Sequence, residues 1–281
     1  MRKSIDISAI EENFERRHKR FEQITNNEYY FKNCRLSIWE YYQIKGWYEL
    51  LVNKDTKKSK QAFYDAAKTD IYYYETYKNQ VTDLFSYGRT HVLETALSDK
   101  VSVMKEYSNI NYQLNKHGRK LVWYSDMVND GEGHIYCALI SAAMTKNITE
   151  LERLNKIVQT KCLNLKKNQW MNIDLKFFEG IVEEDETKVK DTILQLCTKE
   201  HKRRNKHSLF FKDIVSHPAQ GYLKIAWLNN MQIEIENEVI HQEIIPIEPN
   251  KEYEDNVAKV MSNMIAEEPP NNFNGQKIKR E

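Results

Sequence analysis

Two groups of carboxylates have the spacing most suggestive of a binding device. Glu183, Glu184, Asp185 and Glu186 are consecutive in EEDE, and adjacent carboxylates on a loop can hold a cation or face a basic partner. Acids just before and at a helix start also offset the positive end of the helix dipole, which requires no ligand. Glu234, Glu236 and Glu238 alternate with Ile233, Ile235 and Val239, so an extended chain carries all three on one side. Such a line would attract a basic surface and weaken with salt.

Other candidate chemistry is sparser. His134 and Cys137 form a single HxxC with no second pair at ligand spacing, short of a zinc site. Asp126, Asp130 and Glu132 lie near His134 in SDMVNDGEGH, but Gly131 and Gly133 more simply mark a loop ahead of a buried helix. The chain has no P-loop, GxGxxG, GxSxG or HExxH pattern. No catalytic residue, metal or cofactor is therefore expected. Lys199, Lys202, Arg203, Arg204 and Lys206 make one dense basic cluster. Cations there suit a helix C-terminus, and no interleaved aromatics or groove-entering helix accompany them. Nucleic acid is not the expected partner; contact through this cluster belongs to the alternative, a helical-repeat adaptor or regulator.

These residues must be positioned by helices. Of the 281 residues only 8 are Gly and 5 Pro, and the first proline is Pro218, whereas a many-stranded fold needs such breakers at each reversal. Apolar residues recur at helical intervals in 31–52 (Leu36, Trp39, Tyr42, Trp47) and 61–81 (Phe63, Ala67, Ile71, Tyr74), joined by the polar NKDTKKSK. This is the pattern of an αα-hairpin. Residues 138–158 match 176–196 in pattern at an offset of 38, with Thr149 and Thr187 as expected N-caps. Stacked hairpins would show such a period, and so would hairpins in an ordinary bundle. A third unit starts at QGYLKIAWLNN, but the Ile/Glu alternation replaces its second helix.

The expected fold is all-α: stacked antiparallel helical hairpins, a repeat-like bundle, with a short extended segment near the C-terminus. One helical domain should cover 1–263, with a helical N-terminal part over about 1–125, repeat-like hairpins over about 126–263, and a flexible tail at 264–281.

Lys and Arg number 42 against 41 Asp and Glu, so no global field recruits nucleic acid or an anionic membrane. The longest apolar run, IYCALISAAM, is too short to span a bilayer, and the N-terminus has no signal-peptide core. Cys34, Cys137, Cys162 and Cys197 are scattered, as free thiols in a reducing compartment would be. A cytoplasmic protein without a membrane partner is expected. The 17 Tyr are well suited to a protein interface.

The stretch RRNKHSLFFKDIVSHPAQGYLKIAWLNNMQIEIENEVIHQEIIPIEP resembles the closing signature of the immunity 49 family of bacterial polymorphic-toxin systems. The signature's helix, short turn, alternating segment and Pro-containing end correspond here to Ala219–Leu228, Asn229–Gln232, Ile233–Ile240 and Ile244–Pro246. The likeness covers about residues 200–250; Asn230 stands where Gly is expected, and IIPIEP replaces a simpler ending. The resemblance implies an all-α, cofactor-free antidote that binds a cognate toxin domain and blocks it without catalysis. Its oligomeric state is left open.

Overall fold

The computed structural model describes residues 7–26, 29–77, 84–116, 120–132, 134–198, 211 and 214–265. Within them lie twelve α-helices and one two-stranded sheet, so the all-α expectation holds apart from that small hairpin. The basic cluster at 199–206 and nearly all of the expected tail fall outside the described residues.

Helix α1 (Ile7–Thr25) packs on α2 (Phe31–Leu51), with Phe21 stacked 3.9 Å from Tyr41. Four antiparallel pairs follow: α2 with α3 (Thr56–Tyr77), α4 (Gly88–Leu97) with α5 (Val101–Ser108), α7 (Ile135–Met144) with α8 (Ile148–Ile157), and α9 (Asn172–Glu183) with α10 (Glu186–Leu196). Between the second and third pairs come β1 (Gln113–Lys116), β2 (Lys120–Trp123) and the short α6 (Tyr124–Asn129). Helix α11 (His217–Leu228) packs on α10 and returns against α4, so the row of hairpins curls back on itself.

One elbow chemistry recurs along the row. Lys54, Asp99, Lys146, Glu184 and Asn230 are the non-glycine residues at positive φ among the described residues, each at a helix end. The residue after three of them closes the helix by donating five positions back: Asn147 to Ala142, Asp185 to Gly180 and Met231 to Ala226, each at 2.9 Å. Asn147 and Asp185 also cap the following helix, accepting from the N–H of Glu150 (3.2 Å) and Lys188 (3.0 Å). Asp55 does the same for Lys58 at 2.9 Å. The expected caps Thr149 and Thr187 are thus corrected to Asn147 and Asp185, which keep the offset of 38. A short Asn or Asp side chain follows the left-handed residue directly and reaches the orphan N–H of the first turn, while the threonines already sit inside the helix.

Asn230 adopts the left-handed conformation at φ 67°, which Asn tolerates better than most residues. The next residue, Met231, cannot cap, so no helix follows. Residues 231–237 run extended outside any sheet: Met231, Ile233 and Ile235 are buried, Glu234 and Glu236 exposed. Trp227 Nε1 donates to the Ile233 carbonyl (2.9 Å) and Gln242 Nε2 to that of Ile235 (2.7 Å), so side chains satisfy what a ladder would. The chain then straps across α3 into α12 (Asn256–Met261), and its described part reaches α2, where the N–H of Ile265 donates to Tyr29 and that of Phe31 to Ile265, each at 3.0 Å. Met264 and Ile265, expected at the head of a loose tail, belong to the folded body because they complete this contact.

Helices α4 and α11 cross at Gly221, where an added Cβ would lie 2.6 Å from both the Cβ and a Cδ of Leu93. The Leu93 Cβ cannot rotate away, so Gly221→Ala must push the helices apart. A loss of about 1–3 kcal/mol in a urea unfolding titration is the expected result.

Candidate functional site

The acidic elbow divides by role. Asp185 is spent on the cap, and Glu183 pairs with Lys188 at 3.1 Å, a lysine that also meets Glu179 at 3.2 Å. Glu184 holds the left-handed turn at φ 53°, and Glu186 lies in the first turn of α10. All four acids are exposed, but only Glu184 and Glu186 are free of a local structural task. Glu234, Glu236 and Glu238 differ: all three face solvent, Ile233 and Ile235 beside the first two are buried, and Glu238 follows half-buried Asn237 into a turn. Glu234 and Glu236 share the solvent side of the alternating segment, and Glu238 is exposed on the turn after it. His134 begins α7 without a side-chain cap, its carbonyl accepting from the Cys137 N–H, and Asp126 and Asp130 are exposed. Among the described residues no group of three potential ligands could hold a metal ion.

The densest polar chemistry is instead buried, and the sequence reading missed it. Asp70 on α3 is fully buried and receives Arg35 of α2 at 2.9 Å, His91 of α4 at 2.7 Å and the Tyr107 hydroxyl of α5 at 2.7 Å. Burial works against its charge, yet His91 and Arg35 more than offset that and hold the carboxyl below the usual carboxylate range. Trp39 stacks on the His91 ring at 3.4 Å. One turn along α4, Glu94 accepts both Gln43 contacts at 2.9 Å and Trp47 Nε1 at 3.1 Å, and lies 3.0 Å from His217 Nδ1 in a charge contact without hydrogen-bond alignment. Beyond α4, Asp99 binds two lysines, Lys60 at 2.8 Å and Lys224 at 2.5 Å. Lys224 also donates to the carbonyls of Ile244, Ile245 and Pro246 at 2.9–3.1 Å. Burial pushes this ammonium down to about 8, against the pull of Asp99. The column ties α2, α3, α4 and α11 together and holds the strap. With Asp70, Glu94, Asp99 and both histidines no more than 4% exposed, it is a core that no substrate reaches.

A signal for it exists. His217, Gln220 and Lys224 recur at helical spacing in a helix otherwise apolar, and His91 and Glu94 do so on α4. Polar residues on the face of a helix that is apolar all round mark a buried network rather than a solvated stripe.

One cleft opens at the surface. It encloses about 320 Å³ between the end of α5, the residues that follow it, and helices α6–α8. Phe85, Val128 and Ala142 belong to its apolar lining, and Asn109, Ser141 and Arg153 to its polar lining. Arg153 grips both oxygens of Glu150 at 2.7 Å and donates to Asn129 Oδ1 at 2.7 Å, so the lining carries no net charge.

No family model matches the chain, and neither a curated protein nor a solved structure shows a match. No helix among the described residues is long and apolar enough to cross a membrane.

Proposed function

We propose that the protein is an immunity protein that binds a cognate bacterial toxin domain in the cytoplasm and blocks it sterically and electrostatically, without catalysis. The observation that carries this reading is the exposure of Glu234 and Glu236 on a segment whose alternate residues are locked in the core, with exposed Glu238 on the turn that follows. A preorganised line of charge loses little entropy on binding and steers a basic surface toward it. The layout over about residues 200–250, similar to that of the immunity 49 family, supports the same reading. Glu184 and Glu186 are further exposed acids on the α9–α10 elbow.

Co-expression with the toxin encoded beside the gene should restore growth, and a chain that gives no protection against that toxin sinks the reading. Reversing Glu234, Glu236 and Glu238 to lysine should weaken toxin binding about tenfold or more at low salt, with less effect at high salt. Because the three side chains are exposed, the thermal unfolding midpoint should hold. Unchanged affinity at low salt removes this edge from the interface.

The recurring elbow at residues 54, 99, 146, 184 and 230 favours a second reading, a helical-repeat adaptor or regulator. Nucleic-acid binding that falls steeply with salt would distinguish it from the first.

A further inference from the structure

The segment that carries Glu234 and Glu236 presents more than charge. In an extended chain the N–H and C=O of successive residues point to opposite edges, just as side chains alternate between faces. The carbonyls of Ile233 and Ile235 take Trp227 Nε1 and Gln242 Nε2, so their edge is closed by side chains of the same fold. Glu234 and Glu236 direct their main-chain groups to the other edge. Among the described residues neither makes a hydrogen bond or ion pair, through main chain or side chain, and both are exposed.

Two unpaired N–H groups and two unpaired carbonyls, on alternate residues of a chain whose intervening side chains are buried, form an open strand edge. Each glutamate can exchange both of its main-chain bonds with an incoming strand, the mode by which an extended peptide adds to a sheet edge. The edge is short. At one end the Ile233 N–H folds back on the Met231 carbonyl at 2.9 Å, and at the other the Val239 N–H donates to Asn237 Oδ1 at 3.1 Å in the turn.

Charge selects the occupant. Side chains directly opposite one another across a strand pair interact, and like charges there are destabilising. A second copy of this chain on the same edge would set glutamate against glutamate. A strand with Lys or Arg at alternate positions would instead meet both carboxylates on the solvent face. We propose that an extended segment of the toxin domain, basic at alternate positions, adds as a strand to the edge of Glu234 and Glu236. The identity of the partner rests on the immunity reading; what is new is that the main chain, and not the carboxylates alone, makes the contact.

Affinity for the toxin domain encoded beside the gene, at low and high salt, tests this in Glu234→Gln, Glu234→Pro, Glu236→Gln and Glu236→Pro. Thermal unfolding checks each fold. Glutamine removes the charge and keeps the N–H, whereas proline removes both. Neither N–H is bonded in the free chain, and Ile233 and Ile235 are already extended as a residue before proline must be, so the proline variants should fold. Each glutamine should raise Kd about threefold at low salt, with the difference shrinking as salt is added. Each proline should raise Kd about tenfold further, and that step should persist at high salt. In the unaltered chain the Glu234 and Glu236 amides should exchange rapidly when free and slowly in the complex, a readout that needs no variant. Proline and glutamine variants that bind alike, with both amides unprotected in the complex, overturn strand addition and leave the immunity reading to stand on the carboxylates. A chain that neither binds nor protects removes the immunity reading and this occupant with it. Self-association abolished by Glu236→Pro would put a second copy on the edge and overturn the proposal.

Discussion

Replacing Asp99 with asparagine should destabilise the protein by about 3–5 kcal/mol, because it strands buried cations without their counter-charge. Asp99 is 1% exposed, and both Lys60 and Lys224 spend their charge on it. Asparagine keeps the size and tolerates the left-handed φ of 59°, so the change isolates the charge from the turn. The carbonyls of Ile244, Ile245, Pro246 and Glu248 still accept from the lysines but supply no full negative charge. Burial already lowers Lys224 to about 8 against the pull of Asp99, and without Asp99 it would go lower. A lysine depressed in the fold stabilises it above the unfolded value near 10.5, and that contribution is lost as pH falls through the folded value. The variant should therefore regain stability between pH 7 and 9 more than the parent does. Urea titrations at both pH values check this. Adding Lys224→Met should recover part of the loss, since it removes one of the stranded charges. A loss below about 1 kcal/mol would mean that the column is better solvated than its burial implies.

Helical periodicity and the scarcity of Gly and Pro made the helices legible, including the pair read at 31–52 and 61–81. The second of these starts at Thr56, inside the stretch read as a polar connector, because the Asp55 side chain caps it there. The departure from helix after Asn230 was legible for the same kind of reason, since Ile233 and Ile235 alternate with glutamates. The elbows were harder. Their left-handed residues are Lys, Asp, Glu and Asn, which carry no glycine signature, and the capping Asn147 and Asp185 lay two positions before the threonines that drew attention. Hairpin β1–β2 has only eight residues in its strands, and its NKHGRK stretch reads as polar linker. The buried column was missed for a different reason. A lysine such as Lys224 ordinarily snorkels to solvent, and nothing local says that its partner is Asp99, which lies 125 residues earlier in the chain. Of the acids singled out from sequence, the structure leaves Glu234, Glu236 and Glu238 exposed and assigns Asp185 and Glu183 to holding an elbow.

Stability should fall as pH rises from 4 to 8 at one buried carboxyl, Asp65, and this change reports on the C-terminal strap. Asp65 is fully buried on α3 and accepts from Gln61 at 3.1 Å and from Asn256, the first residue of α12, at 2.9 Å. Unlike Asp70 and Asp99, it has no cation at ion-pair distance. Burial pushes it up to about 7, and the amides of Asn256 and Gln61 and the more distant Lys45 only partly oppose that. A carboxyl raised in the fold stabilises it fully below the unfolded value near 3.8, and that contribution is lost as pH climbs through 7. The full difference is on the order of 4 kcal/mol, a large part of a typical folding free energy. Asp65→Asn removes the titration. Gln61 is held by Glu254 at 2.8 and 3.0 Å, so the new amide must keep its oxygen there, and Asn256 can turn to offer its own oxygen to the new donor. The gap between parent and variant in urea titrations should shift by roughly 4 kcal/mol in the variant's favour from pH 4 to 8, while groups common to both cancel. Hydrogen exchange should locate the change. Protection in residues 250–265 should fall with rising pH in the parent and hold in the variant, because Asn256 is where the charged carboxylate meets the strap. A gap independent of pH would mean that Asp65 is ionised throughout and that the strap is held by Tyr72–Asp255 and the Gln61–Glu254 pair instead.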